Sequence, residues 1–134
     1  MIFKYAPTPP GGYSGMPLIH ITLRWRDNEV AVDALVDSGA NMTIMPFDIG
    51  RQLGFVWEEQ TRPVSLGGPL HGLQGFIIPA YGTIEGLPQV PLAIAWIEDT
   101  NRPVRPLLGQ SNFFQQFKVT FEGYDNAFDI SPKS

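Results

Sequence analysis

At 134 residues and without cysteine, the chain can bury a one-domain core but can form neither disulfides nor thiolate metal sites, which suits a cytoplasmic setting. A net charge of −4, with 9 scattered Lys and Arg, excludes a general nucleic-acid binder, and no stretch is long and apolar enough to span a bilayer. The 13 prolines and 14 glycines predict many short elements joined by turns, the pattern of a mostly-β protein.

Residues 1–16, rich in Pro, Gly and Tyr, read as an irregular arm without the apolar run of a signal peptide, and residues 17–134 as one domain. Leu18–Trp25 alternates, with Ile19, Ile21, Leu23 and Trp25 against His20, Thr22 and Arg24, which predicts a strand with one buried face. Arg26-Asp27-Asn28 is a turn signal, and Val30–Val36 is its hairpin partner. A short strand is predicted over Thr43–Met45. Pro46 then suits a helix start, with Ile49 and Leu53 one turn apart and Gly54 as the stop. Arg62–Leu66 and Phe76–Ile84 read as extended and flank Gly67–Gly75, a segment holding four glycines. Val90–Ile97 is a further strand, followed by the polar turn Glu98–Arg102. Pro106–Leu108 is short and apolar and ends at Gly109. Ser111–Gln116 predicts one or two helical turns, Phe117–Phe121 alternates, and Ala127–Ile130 closes the chain. There is no internal repeat or second domain.

The chemically informative run is Ala34-Leu35-Val36-Asp37-Ser38-Gly39-Ala40, where an apolar strand runs into an acid. A carboxylate at the end of a buried strand is costly unless it is satisfied. Gly39 permits a sharp turn that brings backbone N–H groups to it, and the Ser38 hydroxyl can bond nearby backbone. Taken alone, Asp-Ser-Gly more often marks an ordinary turn. This one is set apart by the order of the segments C-terminal to it. Thr43-Ile44-Met45-Pro46 leads into a short helix ending at Leu53-Gly54, and Leu107-Leu108-Gly109 later opens a second strand-to-helix turn with Phe113-Phe114 behind it.

In that order, over roughly Pro17–Ile130, the sequence resembles the retropepsin-like aspartic proteases. Their signature of two apolar residues, Asp, Thr or Ser, Gly, and Ala or Ser falls on Leu35–Ala40. Their glycine-rich flap falls on Gly67–Gly75, and their late apolar-apolar-Gly on Leu107–Gly109. The sequence departs from the family in having Ser38 where Thr is commoner, Pro69 within the flap, and an arm before Pro17 with no counterpart.

The resemblance implies an all-β fold, a small closed barrel with one or two short helices. It implies a C2 homodimer formed through the active-site face, with terminal segments pairing across the interface. The implied activity is aspartic endopeptidase cleavage of extended peptide or protein substrates, without cofactor, metal, nucleic acid or membrane. Asp37 is the implied catalytic residue, with Ser38, Gly39 and Ala40 supporting its loop and Leu108 and Gly109 packed beneath. Gly67, Gly68, Leu70, His71 and Gly72 form the implied substrate cover, where Leu70, Leu73 and Phe76 can press on substrate and His71 reads either as a substrate contact or as an exposed structural histidine. Two adjacent carboxylates cannot both ionise, so the charged one activates a water and the protonated one supplies a proton to the scissile carbonyl. One chain carries a single motif, so the second carboxylate is Asp37 of another copy, and the pair titrates as a unit.

Two other readings fit the residues. One is a dimeric module of the same fold that holds peptide without cutting it. The other is an unrelated β-barrel for a small apolar ligand, with Asp37 in an ordinary turn and Gly67–Gly75 as a long surface loop. Signals for other chemistry fall away. His20 and His71 do not make a metal site. Gly12-Tyr13-Ser14-Gly15-Met16 is not a nucleophile elbow, and the glycines of 67–75 lack the Gly-Lys-Ser/Thr of a phosphate loop.

Overall fold

The computed structural model describes residues 1–7 and 15–133. The hairpin predicted first comprises β2 (Leu18–Trp25) and β3 (Asn28–Val36), paired from Leu18↔Leu35 to Trp25↔Asn28. Its turn is Arg26-Asp27, with Arg26 at a φ of 54° and its guanidinium 4.1 Å from the Trp25 ring centre. The alternation in β2 does what it predicts, burying Ile19, Ile21 and Leu23 while His20 and Arg24 face outward.

After β4 (Thr43–Met45), Pro46 caps α1 (Phe47–Gln52), and Gly54 ends the turn at a φ of +94°. β5 (Pro63–Ser65) pairs with β6 (Gln74–Thr83), which pairs along its length with β7 (Val90–Ile97). β8 (Leu107–Leu108) is inserted between β3, parallel to it, and β4, antiparallel to it. The strand order β2-β3-β8-β4-β7-β6 closes on itself because β2 also pairs with β6 through Thr22↔Thr83 to Arg24↔Tyr81. This makes a six-strand barrel with β5 on its margin, and full closure leaves no raw barrel edge.

The barrel interior is filled by side chains such as Leu23, Val36, Ile94, Trp96, Leu108 and Phe113. Trp96 is fully buried, and its Nε1–H donates to the Phe47 carbonyl at 2.9 Å, so the indole carries no unmet donor into the core. The Phe47 ring stacks on it at 5.2 Å. Gly50 lies against the same indole, where a side chain would collide. A smaller cluster, Ile44, Leu66, Leu73, Ala95 and Ile97, sits outside the barrel beneath the 66–73 loop.

A second sheet gathers both ends of the chain. α2 (Phe113–Gln116) leads into β9 (Phe117–Glu122), which pairs with β10 (Ala127–Pro132), and β10 pairs in turn with β1 (Ile2–Lys4). β1 corrects the expectation of an irregular arm over residues 1–16. Phe3 stacks on the buried Phe128 at 5.5 Å, so the start of the chain is anchored by an aromatic pair. Beyond it, Ala6 and Met16 pair across the base of the arm, and the Gly12–Ser14 stretch falls outside the described residues. Within the chain the two ends pair with each other, Ile2↔Asp129 to Lys4↔Ala127. The Met1 ammonium also reaches Asp129 at 2.9 Å. Together with the Ser131 hydroxyl it holds that carboxyl below the usual range.

Candidate active site

Asp37 leaves the end of β3, and two turns from distant parts of the chain lock together beneath it. Its N–H donates to the Leu108 carbonyl at 2.9 Å, extending the parallel pairing of Val36 with Leu108. The Gly39 N–H donates to Asp37 Oδ1 at 2.9 Å, and the Ala40 N–H to the Asp37 carbonyl at 3.2 Å. The second turn answers the first. Gln110 N–H donates to the Ala40 carbonyl at 2.9 Å, Ser111 N–H to the Asn41 carbonyl at 2.8 Å, and Thr43 N–H to the Ser111 carbonyl at 2.9 Å.

Two residues of this lattice have no site role in the sequence reading. Thr43 is a fully buried polar side chain, and its Oγ1 accepts from the Gly109 N–H at 3.3 Å. A threonine opening a short, otherwise apolar strand was the available signal. Gln110 Nε2 donates to the Ser38 carbonyl at 2.8 Å, a contact with no sequence signature. Ser38 itself is exposed and is tied down through this carbonyl, in place of the hydroxyl bond expected of it. Leu108 is fully buried below the turn. A side chain on Gly109 would strike the Met42 carbonyl and come within 2.8 Å of the Ala40 oxygen. Only glycine lets the two turns approach this closely.

Above Asp37 lies a cavity of about 550 Å³, lined also by Gly39, Ala40, Leu35, Met42 and Ile44. Its far wall is the loop between β5 and β6. The Leu66 N–H bonds the Leu73 carbonyl at 3.0 Å across the loop base, and Gly68–Leu70 makes one tight helical turn. Gly68 and Gly72 sit at φ of +58° and +90°, where a side chain is strained. Gly67, Gly68, Pro69 and Leu70 face the cavity.

Other residues of the expected cover lie elsewhere. His71 and Gly72 are exposed and outside the cavity lining, and the His71 carbonyl accepts from Arg102 Nη1 at 3.1 Å. Leu73 is buried in the cluster beneath the loop, and Phe76 packs edge-on against Trp57 at 4.6 Å. Phe76 is held in the β5–β6 ladder opposite Pro63, whereas Leu73 lies just before β6 and turns into the cluster beneath the loop with Leu66 and Ile97. Gly75 belongs to β6, where a Cβ would lie 2.6 Å from the Trp96 carbonyl. The remaining wall is Pro103, Val104, Arg105 and Leu107, with Met16 at the margin. Asp37 and Arg105 are the two charged side chains among the lining residues. Among the described residues, no three His, Asp or Glu side chains converge as metal ligands, and no helix is long and apolar enough to cross a membrane.

Neither the protein-family models nor the curated proteins contain a match to this sequence. Solved structures do match its fold. The retroviral protease-like domain of Ddi1 from Leishmania major superposes with a TM-score of 0.59 at 20% identity, covering 86% of this chain and 87% of that one. The EIAV protease, complexed with the inhibitor HBY-793, superposes with a TM-score of 0.54 at 16% identity, covering 73% of this chain and 85% of that one. The chain therefore has the retropepsin-like fold: an all-β closed barrel with two short helices.

Proposed function

We propose that this protein is an aspartic endopeptidase whose active site is completed by a second copy of the chain. The observation that carries this reading is Asp37. It is the one carboxylate lining an apolar cavity, held by the Gly39 N–H at the meeting of two interlocked turns and faced by a glycine-bearing loop. A single carboxylate of this kind is half of a general acid-base pair. A two-fold axis at the mouth of the cavity brings Asp37 of a partner subunit beside it and makes one shared proton the stable state.

In that arrangement the charged carboxylate takes a proton from a water between the pair, and the water oxygen bonds to the scissile carbonyl carbon. The protonated carboxylate gives its proton to the carbonyl oxygen. Collapse of the tetrahedral intermediate breaks the C–N bond, and a proton passes to the leaving amine. Ser38, Gly39 and Ala40 hold the carboxylate in place, and Leu108 and Gly109 support them from below. The loop carrying Gly67, Gly68 and Leu70 covers the peptide and excludes water, with His71 and Gly72 shaping its turn.

The test is incubation of the wild type and Asp37→Asn with a denatured-protein library, read by mass spectrometry. Cleavage should vanish in the variant while melting temperature and sizing profile stay unchanged. Mixing equal amounts of the two chains under subunit exchange should leave about a quarter of the dimers with two working aspartates, so that activity per active chain falls to about half. Undiminished cleavage by Asp37→Asn, or no loss on mixing once exchange is demonstrated, contradicts the proposal. Tight peptide binding without any cleavage by the wild type would identify the non-catalytic module instead.

A further inference from the structure

We propose that Arg105 is a specificity determinant that selects peptides carrying an acidic side chain beside an apolar centre. The inference rests on the peptidase reading of the cavity and adds the chemical class of its substrate. The walls that face Asp37 are almost wholly apolar or glycine, and Arg105 is the one cation among them. Its charge is not met by any described carboxylate. Among the described residues it forms no ion pair, and its Nη1 donates to the sulfur of Met16 at 2.9 Å, a neutral and weak acceptor. Asp33 shares a neighbouring hollow with Arg105, but the Asp33 Oδ1 lies 2.9 Å from the Nδ1 of His20.

Arg105 is nonetheless well placed. Pro103 and Pro106 flank it and limit the backbone, and the Pro106 carbonyl accepts from the Leu35 N–H at 2.9 Å, fixing the segment to the strand that ends at Asp37. On this fixed backbone the exposed guanidinium offers a planar fork of donors matched to a carboxylate. The chain as a whole carries a net charge of −4, so an acidic peptide gains nothing from the general field. The attraction is local to this cavity. When an extended peptide covers Arg105 and thins the surrounding water, a Glu or Asp side chain within reach forms a partly shielded ion pair.

The probe is a set of fluorogenic peptides with two apolar residues at the centre, and Glu, Gln or Lys moved through the flanking positions. We expect wild type to cut the best Glu peptide with a kcat/KM about tenfold above its Gln counterpart, with the gap narrowing as salt rises. Arg105→Gln should bring the Glu-to-Gln ratio of kcat/KM down to about one, and Arg105→Glu should favour Lys. Binding of the same peptides to the Asp37→Asn chain, followed by fluorescence anisotropy, separates the two hypotheses. Cleavage without any acidic preference overturns the role of Arg105 and leaves the peptidase standing. Preferential binding of Glu peptides that Arg105→Gln abolishes, with no cleavage by wild type, supports Arg105 and removes the peptidase. If Arg105→Gln slows all peptides equally and shifts the sizing profile toward monomer, Arg105 belongs to a subunit contact and the inference is wrong.

Discussion

Two glycine-bearing loops face each other across the cavity, and they use glycine for opposite reasons. At the Asp37 side, Gly109 is glycine because there is no space, with the carbonyls of Met42 and Ala40 where a side chain would be. At the cover, Gly67 and Gly68 have nothing within 4 Å of the position a Cβ would take, and the requirement at Gly68 and Gly72 is a positive φ. One loop is fixed by close backbone packing and bonds between two distant turns, the other by bonds within its own turn and by Leu66 and Leu73 buried beneath it. Under the proposed function the first would hold a carboxylate still and the second would move against it.

Substitutions sharpen this contrast in order of expected effect. Gly109→Ala should cost about 1–3 kcal/mol of stability and remove activity, because the two turns must separate to admit a methyl group. Urea unfolding at an unchanged midpoint would mean that the turns are loosely joined and the contrast is false. Gly68→Val should damage turnover more than stability. Its strain at φ +58° is on the order of 1–2 kcal/mol and falls on the cover, so kcat/KM should drop by about tenfold or more. Wild-type turnover in that variant would show that the loop is not the substrate cover. Gln110→Ala removes the tie to the Ser38 carbonyl, and about 0.5–1.5 kcal/mol of stability should be lost in thermal unfolding. Gly67→Ala is the smallest case. Its backbone is extended, at φ −118° and ψ −171°, and the space beside it is open, so stability should stay within about 0.5 kcal/mol of wild type. A larger loss there would place that part of the cover in a packed environment.

The fold was legible in the sequence wherever a strand carries its own pattern. β2, β4 and β7 begin and end at the predicted residues, because alternation, proline and glycine mark them locally. β1 was not legible. Three residues in a proline-rich stretch become a strand only because β10, at the other end of the chain, lies beside them. The surroundings of Leu73 and Phe76 were not legible either, since the cluster beneath the loop and the Trp57 ring that they meet are set by distant parts of the chain. At the candidate site, the turn at Asp37 is written in neighbouring residues. The contacts of Thr43, Gln110 and Arg105 are not, because their partners Gly109, Ser38 and Met16 are far away along the chain.

The hydrogen bond from Gln110 to Ser38 joins residues 72 positions apart, and the parallel pairing of β3 with β8 spans a similar stretch. Contacts this distant form late, after the cost of closing so long a loop has been met by other pairings. A chain still being synthesised therefore carries Asp37 long before it carries the segment that seats it. Ribosome-arrested chains ending before residue 107 should leave residues 37–43 open to an added protease, and chains released at full length should protect them. Such timing leaves the seat of Asp37 unassembled for as long as the polypeptide around it is still unfolded.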